Sequence, residues 1–328
     1  MSENRRDVCV DCGSGLDRRK FLGLVGGAAV GLSASGLVVP RASWGAPTPK
    51  SAAETDVTRL YATLSDSQKA EICLPFDDSK RTRISANWQI TKPTIGSNFF
   101  SAEQRTLIDA IFRGVTSPEG YEKLKEQMEQ DSGGFGEYSI AIFGTPGNGK
   151  FQWELTGRHL TLRADGDSVE NMAFGGPIVY GHGEETPASN LFHYQTKQVN
   201  EVFQALDGKQ REVALRSQAP RESDVPLQGK AGTFPGIKVG DLSADQQGLV
   251  SQVLKVLLAP YRQEDVEEVM ADLNAGGGLQ ALHMAFYQQG DLGNDKVWDI
   301  WRVEGPNFVW HFRGAPHVHA YIHIGVKA

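Results

Sequence analysis

The sequence predicts an α+β fold made of two tandem copies of one unit, each with helices first and antiparallel strands after, packed as a pseudo-twofold globule. Two pairs of matching stretches lie at the same offset of 142 residues, which indicates a duplication. Helices and strands that are grouped along the chain, and do not alternate, favour α+β over a βαβ architecture. The matches are Leu60-Tyr-Ala-Thr-Leu-Ser-Asp-Ser-Gln-Lys with Val202-Phe-Gln-Ala-Leu-Asp-Gly-Lys-Gln-Arg, and Phe100-Ser-Ala-Glu-Gln-Arg-Thr-Leu-Ile with Leu242-Ser-Ala-Asp-Gln-Gln-Gly-Leu-Val.

Both copies begin with helices. Ser65, Ser101 and Ser243 stand where an N-cap is expected, each just before a helical stretch. A second helix, predicted at 117–130 in the first copy and 262–273 in the second, ends in a glycine cluster, as is common at helix C-caps.

Strands fill the rest of each copy. Short turns rich in Gly, Pro and Asn separate them, so we expect antiparallel meanders. One such turn, Thr145-Pro-Gly-Asn-Gly-Lys, lacks the spacing of a phosphate-binding loop and is interpreted as a hairpin. The predicted strands are 138–143, 151–163 and 172–180 in the first copy, and 282–288, 297–303, 308–313 and 317–324 in the second.

The first 46 residues differ in composition from the rest. Arg18 and Arg19 precede Lys20-Phe-Leu and a weakly apolar stretch that ends near Val39, a pattern that resembles the signal of the Tat pathway for folded proteins. We therefore expect the Tat export machinery as a partner and a periplasmic or secreted location. A retained membrane anchor is the alternative, because the apolar stretch is long enough to span a bilayer. The predicted segments are the signal at 1–46, a linker at 47–56, the first repeat at 57–190 and the second at 191–328.

Composition bounds the class of protein and its partners. Hydrophobic residues make up 40% of the chain and charged residues 22%, as in ordinary globular proteins. The formal net charge of -7, without a basic run, excludes nucleic acid as a partner and argues against stable membrane insertion once the signal is cleaved. Cys9 and Cys12 would leave with the signal, so Cys73 is the one cysteine of the mature chain and no intramolecular disulfide can form.

The last predicted strand, His-Val-His-Ala-Tyr-Ile-His-Ile, carries imidazoles on one face. Alternation places His317, His319, Tyr321 and His323 on one side and apolar residues on the other. Two histidines at i and i+2 lie about 6 to 7 Å apart on a strand, a separation that one metal ion can bridge with help from a neighbouring strand. A half-exposed edge strand with polar residues facing water is the alternative.

Four stretches of the chain resemble a bacterial exported family, domain of unknown function 3500. They are Leu155-Thr-Gly-Arg-His-Leu-Thr-Leu, Phe174-Gly-Gly-Pro-Ile-Val-Tyr-Gly-His-Gly, Ala205-Leu-Asp-Gly-Lys-Gln-Arg and Val309-Trp-His-Phe-Arg-Gly-Ala-Pro-His-Val-His. The resemblance extends from about residue 55 to the C-terminus and implies no activity. The first motif reads Gly-His-His-Leu in many relatives, whereas this chain has Arg158 at the first of the two positions. The motif histidines that the resemblance carries over are His159, His182, His317 and His319.

Ligands that are all histidine favour a transition metal ion, copper or zinc, over calcium or magnesium. Because two imidazoles on one strand hold an ion only weakly, a third ligand must come from elsewhere, and His159 of the first copy is the expected one. His182 is the expected fourth neighbour. We expect the ring nitrogens of His159, His317 and His319 to converge within roughly 3 to 4 Å, as one shared ion requires.

Two functions remain open on these grounds. The first is an exported metal-dependent enzyme with its site between the repeats and a small-molecule substrate; the second is a non-catalytic periplasmic metal-binding or structural protein. An open coordination position facing a cleft would favour the enzyme. Glu184 and Glu185 are candidates for a base and Arg313 for an anion anchor, whereas no Gly-x-Ser-x-Gly serine nucleophile motif occurs.

Changing Arg18 and Arg19 together to Lys should leave unprocessed precursor in the cytoplasm, because the Tat machinery reads the arginine pair. Cell fractionation followed by immunoblotting measures this. Export of the double variant at the wild-type level would contradict the expected route.

Overall fold

The computed structural model describes residues 45–184, 186–293, 295 and 297–327, so the predicted signal with Cys9 and Cys12 lies outside the described residues. The α-helices are α1 (Ala52–Thr63), α2 (Asp66–Ile72), α3 (Ala102–Gly114), α4 (Pro118–Ser132), α5 (His193–Ala205), α6 (Gly208–Ala214), α7 (Ala244–Leu258) and α8 (Gln263–Ala275). The strands are β1 (Cys73–Leu74), β2 (Ser139–Gly144), β3 (Phe151–Gly157), β4 (Leu160–Ala164), β5 (Ile178–His182), β6 (Leu215–Arg216), β7 (Ile237–Lys238), β8 (His283–Tyr287), β9 (Ile300–Gly305), β10 (Phe308–Arg313) and β11 (Val318–Ile324). Short 3-10 turns lie at Ser79–Thr82, Phe135–Glu137, Ala173–Gly175, Pro187–Ser189, Val239–Asp241 and Leu279–Ala281.

The predicted α+β class is confirmed, and the strands of the described residues form one mixed sheet. Its order is β1-β2-β3-β4-β5-β11-β10-β9-β8-β6, with β7 paired to β8. Strands β2 to β5 form one antiparallel meander and β8 to β11 another, and the two join where β5 pairs antiparallel with β11. At the outer ends β1 runs parallel to β2 and β6 parallel to β8. Read from either edge, the sheet therefore presents a short parallel strand and then a four-stranded meander.

The helices pack on one face of this sheet and bury most of the apolar side chains. The alternation predicted for the last strand is present: Val318, Ala320, Ile322 and Ile324 belong to the main core, whereas Tyr321 belongs to a separate cluster on the opposite face. A one-residue shift of register would exchange the two faces, so burial of the apolar set fixes which side the histidines occupy.

Segments without regular structure cover the other face. Ala86, Trp88 and Ile90 pack against the first meander, and Val225 and Leu227 pack against the second. The strands facing these segments carry buried polar side chains, among them the paired Arg163 and Glu154, where burial raises the pKa of Glu154 to about 8 against the opposing effect of Arg163. This polar face carries the candidate site.

The two matching stretches make the same contacts in both halves. Ser65, Ser101, Asp207 and Ser243 each form a capping box with the glutamine three residues on. Those glutamines then pair across helices: Nε2 of Gln104 donates to Gln68 at 3.0 Å, and Nε2 of Gln246 donates to Gln210 at 2.8 Å. These contacts agree between the halves, and so does the order of the α-helices and strands apart from β7, which has no counterpart in the first half. Superposition of 57–180 on 199–326 stays a prediction.

Three predicted boundaries were wrong. The strand expected at 151–163 is broken by a tight turn at Arg158 and His159, because Gly157 pairs directly with Leu160. The strand expected from 172 begins at Ile178, after a 3-10 turn in which Phe174 has a positive φ of 60°. Helix α1 begins at Ala52, inside the predicted linker 47–56, because Ala53 is fully buried in the core.

None of the helices in the described part of the chain has the length and hydropathy that a membrane span requires.

A buried ion cluster ties α1 to the second half. Arg262, the N-cap residue of α8, donates two hydrogen bonds to the fully buried Glu54 at 2.9 and 2.7 Å. Its Nε also lies 3.0 Å from Asp265. Burial raises the pKa of Asp265 to about 7 although Arg262 opposes the shift, so this guanidinium keeps two buried carboxylates compensated.

Arg262→Ala should lower the free energy of unfolding by about 3 to 5 kcal/mol, because Glu54 and Asp265 would be left buried without a cation. Urea denaturation at neutral pH measures it. Arg59→Ala is the matched control, since it removes an ion pair of 2.7 Å in which the Arg59 side chain is 67% exposed, and it should change stability by no more than about 1 kcal/mol. Equal losses in both variants would contradict the role given to burial.

Candidate metal centre

Three imidazoles from separate segments meet on the polar face. His159 lies in the β3–β4 turn, His317 directly precedes β11 and His319 lies on β11. One ring nitrogen from each lies within 4.8 Å of the others, and no other such group of three His, Cys, Asp or Glu occurs among the described residues. Ring centroids are 5.2 Å apart for His159 and His317, 5.0 Å for His159 and His319, and 4.7 Å for His317 and His319. We call this set the histidine triad.

Gly181 allows His159 and His319 to meet. It pairs with His319 across β5 and β11, and the pairing of Leu160 with Tyr180 brings the β3–β4 turn level with it. Neighbouring strands lie about 4.8 Å apart, so side chains on strands either side of β5 can touch only if β5 offers none between them. A Cβ at Gly181 would lie 3.2 Å from the Cβ of His159 and would overlap the carbonyl oxygen of Val318.

Helix α4 orients His159. Nδ1 of His159 lies 2.7 Å from Oδ2 of Asp131, so Nδ1 carries the hydrogen and Nε2 keeps a lone pair with which an ion could be bound. Burial acts to raise the pKa of Asp131, but hydrogen bonds from His159, Gln127 and the Gly183 N–H outweigh it and hold the pKa below its usual range. The ring is almost fully buried, at 4% exposure, and is therefore fixed in direction.

The backbone at His159 is held as firmly as its ring. The residue has a positive φ of 59°, a conformation that costs energy for any residue with a Cβ. The hydroxyl of Tyr138 donates to the carbonyl of Arg158 at 2.6 Å, and the His159 N–H donates to the carbonyl of Ala86 at 2.6 Å. These bonds fix the turn in the orientation that points the imidazole at β11.

Glu222 orients His319 from the covering segment. Its Oε2 accepts from Nδ1 of His319 at 2.8 Å, while its Oε1 accepts from Nη1 of Arg313 at 2.6 Å. Burial acts to raise the pKa of Glu222, but the hydrogen bond from His319 and the charge of Arg313 prevail and lower it. Nη2 of Arg313 also lies 2.9 Å from Nδ1 of His319. With Nδ1 donating to the carboxylate, Nε2 of His319 keeps a lone pair with which an ion could be bound, as in carboxylate–histidine–metal arrangements.

His317 completes the group through its own Nε2, which lies 3.0 Å from Nε2 of His319 and 3.2 Å from Nη2 of Arg313. Burial, followed by the neighbouring His319 and Arg313, lowers the pKa of His317 to about 4. The ring is therefore neutral at physiological pH, which is the protonation state that a metal ligand needs. The peptide bond Ala315–Pro316 just before it is cis.

The spacing of the nitrogens suits an ion after a small movement. Two nitrogens that are each about 2.0 to 2.1 Å from one ion can be at most about 4.2 Å apart. His317 and His319 already satisfy this at 3.0 Å, whereas the full triad extends to 4.8 Å, which is wider than the sequence led us to expect. Closure of roughly 1 Å, within the range of side-chain rotation, brings the set to bonding distance.

His182, predicted as the fourth neighbour, is not part of the group whose ring nitrogens converge, and its place in a metal site stays a prediction. Its Nδ1 accepts from the Leu191 N–H at 3.2 Å and its Nε2 lies 2.7 Å from Oε1 of Gln130, so both ring nitrogens are engaged. Burial lowers its pKa, against the opposing charge of Asp131. The ring lines a small pocket of about 310 Å³ together with Asp131 and Glu184, apart from the triad nitrogens. His182 is thus held by Gln130 and the Leu191 N–H, and it lines a pocket that none of the triad histidines lines.

The remaining candidates lie elsewhere. His323 donates from Nδ1 to the carbonyl of Val225 at 2.8 Å and only helps to hold the covering segment. Glu184 lines the pocket beside His182, and Glu185 lies outside the described residues. His193 opens helix α5, and His283 packs against the ring of Phe234.

The family comparison agrees with the motifs quoted above. A family profile matches residues 47–325, which include the whole histidine triad. The chain belongs to the DUF3500 family, described as a protein of unknown function. Comparisons with curated proteins and with solved structures returned no significant match. The family supplies no activity, so the chemistry has to be argued from the residues.

Reasoning from sequence missed the residues that orient the triad. Asp131 is 28 positions from His159, and Glu222 is 97 positions from His319. Asp131 stands at the end of a helix before a glycine pair and Glu222 in a loop, so neither shows a periodic pattern. Gly181 directly precedes the motif residue His182 in the sequence. The reason why this position must lack a side chain becomes apparent only from the strand order.

A cleft of about 650 Å³ opens beside His319 on the polar face. Arg313 and His311 of β10 line it, together with Arg221 and Glu222 of the covering segment. Of the three triad histidines, only His319 lines this cleft. A ligand bound next to His319 would therefore face a space of the size that small-molecule sites have.

Gly181→Ala should lower the free energy of unfolding by about 1 to 3 kcal/mol, because the added Cβ displaces either His159 or the β11 backbone. Urea denaturation measures it. Gly248→Ala is the control: it lies in helix α7 with open space around it, and there alanine should stabilise by roughly 0.5 to 1 kcal/mol. A Gly181→Ala protein as stable as wild type would show that close approach at this position is unimportant.

Proposed function

We propose that this chain is an exported metal-dependent enzyme that uses a copper or zinc ion held by His159, His317 and His319. The observation that carries the proposal is the convergence of the three imidazoles beside a cleft, with one ring nitrogen of each within 4.8 Å of the others. Three histidine ligands with one side open is the arrangement typical of catalytic zinc, and three-histidine copper sites are equally compatible.

The donor set fits such an ion. Nδ1 of His159 and of His319 each donates to a carboxylate, which leaves both Nε2 atoms as ligands and makes the rings more basic. A bound ion would supply Lewis acidity where His319 meets the cleft. Asp131 and Glu222 would keep the ligands in one tautomer, and Arg313, which lines the cleft and lies 2.9 Å from Nδ1 of His319, would place a positive charge near that ligand.

The cleft favours an enzyme over a storage or structural metal site. A structural site is closed by protein ligands on all sides, whereas a catalytic site keeps a position for solvent or substrate. Both ring nitrogens of His182, the expected fourth neighbour, are engaged by Gln130 and by the Leu191 N–H. The position opposite the triad is therefore left to molecules that enter through the cleft.

A non-catalytic role is supported by a separate observation. Nη2 of Arg313 lies 3.2 Å from Nε2 of His317 and can donate to the lone pair that an ion would use. On this alternative the triad is a hydrogen-bonded cluster, stabilised by Glu222 and Arg313, that holds β10 to β11 without metal. Metal content separates the two roles.

Duplication and export complete the proposal. Two copies of one unit, joined at β5 and β11, would place a single site where the two meanders meet. Cleavage of the N-terminal segment after Tat export would deliver the folded chain to the periplasm or the medium. Matching element order and the repeated glutamine pairs support the first statement, and the Arg18-Arg19 motif supports the second.

Protein matured through its native export route should contain about one zinc or copper ion per chain, and His317→Ala should lose it, because two imidazoles bind an ion only weakly. Elemental analysis after removal of free metal measures this. His323→Ala is the matched control, since it removes a histidine from the same strand and face that contacts only the Val225 carbonyl. Asp131→Asn should weaken affinity about 10- to 100-fold while the ligands remain.

Wild-type protein without stoichiometric metal, or equal loss in His323→Ala, would overturn the proposal and leave the hydrogen-bonded cluster. Acid should release the ion, because protons compete for the same ring nitrogens. Since burial and neighbouring charge hold the pKa of His317 at about 4, release should begin below the ordinary histidine pKa of about 6.5.

A further inference from the structure

The cleft beside His319 is positively charged, although the whole chain carries a formal net charge of -7. Its charged lining residues are Arg221, Arg313 and Glu222, so two cations face one anion. Glu222 is already bonded through both oxygens, to Arg313 and to His319. The cation at Arg221 is thus the charge in the lining that stays uncompensated.

Arg221 lies exposed at the cleft wall and makes no ion pair with any residue that the structure describes. A guanidinium left unpaired next to a cavity is suited to a carboxylate, which it can bind through two parallel hydrogen bonds. Since only one such cation is uncompensated and Glu222 lies nearby, a monoanion fits this cleft better than a dianionic phosphate group.

His311 adds a neutral hydrogen-bond donor to the cleft. It is 1% exposed, and its Nδ1 accepts from Nε of Arg302 at 3.3 Å, so the ring hydrogen is on Nε2. Burial, followed by the charge of Arg302, lowers the pKa of His311 to about 3, so the ring is neutral at physiological pH. Among the described residues its partner is Arg302, which leaves the Nε2 hydrogen for a molecule in the cleft.

Apolar side chains form much of the remaining lining, which also includes Ser223 and Gln289. Ile300, Pro220, Pro316 and the ring of Tyr321 form walls that can contact the hydrocarbon part of a bound molecule. A volume of about 650 Å³ limits the occupant to a small molecule.

Resting on the proposed function, we propose that the substrate is a small organic monocarboxylate whose carboxylate lies against Arg221 and whose apolar part lies on Ile300 and Tyr321. His311 donates to an oxygen of the bound molecule. The reacting carbon then lies towards His319, at the end of the cleft where the triad is placed.

Benzoate and its neutral analogue benzamide test the charge, each titrated by calorimetry into metal-free and zinc-loaded protein. Benzoate should bind both forms, and Arg221→Gln should weaken it at least about tenfold while benzamide binding is unchanged. Arg216→Gln is the matched control, because Arg216 is exposed and lines the neighbouring pocket of about 410 Å³ but not this cleft. It should leave benzoate affinity as in wild type.

Equal affinity for benzoate and benzamide would overturn the inference, as would equal weakening by the two substitutions. A competition titration in which inorganic phosphate displaces benzoate at a lower concentration than acetate does would also overturn the inference. Because the titration of metal-free protein needs no ion, a failed metal analysis leaves this result intact. A failure of benzoate binding in zinc-loaded protein, in turn, leaves the metal proposal standing.

Discussion

Close approach across Gly181 is the constraint on which the site depends. In the sheet, Gly181 pairs with His319, and His319 pairs with Arg313, so one row of positions crosses β5, β11 and β10. His159 enters this row from the β3–β4 turn. Strands two apart lie about 9 to 10 Å from each other, a distance that imidazoles can bridge only over a position without a side chain. Because β5 ends the first meander and β11 the second, neither half contains the triad alone.

The second requirement is that the imidazole rings point in the right direction. Two carboxylates from outside the sheet fix that orientation. Asp131 comes from the end of α4 on the helical side, and Glu222 from the segment that covers the polar face. Each holds Nδ1 of one imidazole and thereby sets the tautomer whose Nε2 points to the common centre. Burial works against both carboxylates, and their hydrogen bonds to histidine outweigh it. Asp131 and Glu222, which come from different segments outside the sheet, therefore each orient one imidazole.

Local pattern was sufficient for the parts of this arrangement that depend on local physics. The alternation of residues 317–324 correctly predicted which side chains of β11 enter the core, since a strand has a period of two. Glycine clusters correctly placed the ends of α4 and α8 within about two residues. The turn at Arg158 and His159 was missed because it contains none of the residues that mark tight hairpins.

The rest of the site could not be predicted from the sequence because it depends on contacts between residues far apart in the chain. Asp131 and Glu222 show no spacing that would link them to His159 and His319, because the contacts arise from sheet order and not from neighbouring positions. The partners of His182 were equally invisible in the sequence. His182 occupies a family motif and is close to the triad in the sheet, but Gln130 and the Leu191 N–H take both of its nitrogens. Motif membership alone therefore does not distinguish a ligand from the residues around it.

Comparison of the two tight turns shows how one copy would have acquired a ligand under the proposed duplication. Gly157 pairs with Leu160 around His159, and Gly305 pairs with Phe308 around Asn307, so both residues are second in a two-residue turn. Each reaches the C-terminal part of a helix: Nδ1 of His159 donates to the Asp131 carboxylate, and Nδ2 of Asn307 donates to the Asp272 carbonyl at 2.9 Å. The side-chain amide of Asn307 donates its hydrogen bond to the helix and has no second nitrogen with a lone pair. An imidazole at this position also donates to its helix, through Nδ1 to the side-chain carboxylate of Asp131 in place of a backbone carbonyl, and it still presents Nε2. Under the proposed function, this second nitrogen is what would distinguish the turn at His159 from the turn at Asn307.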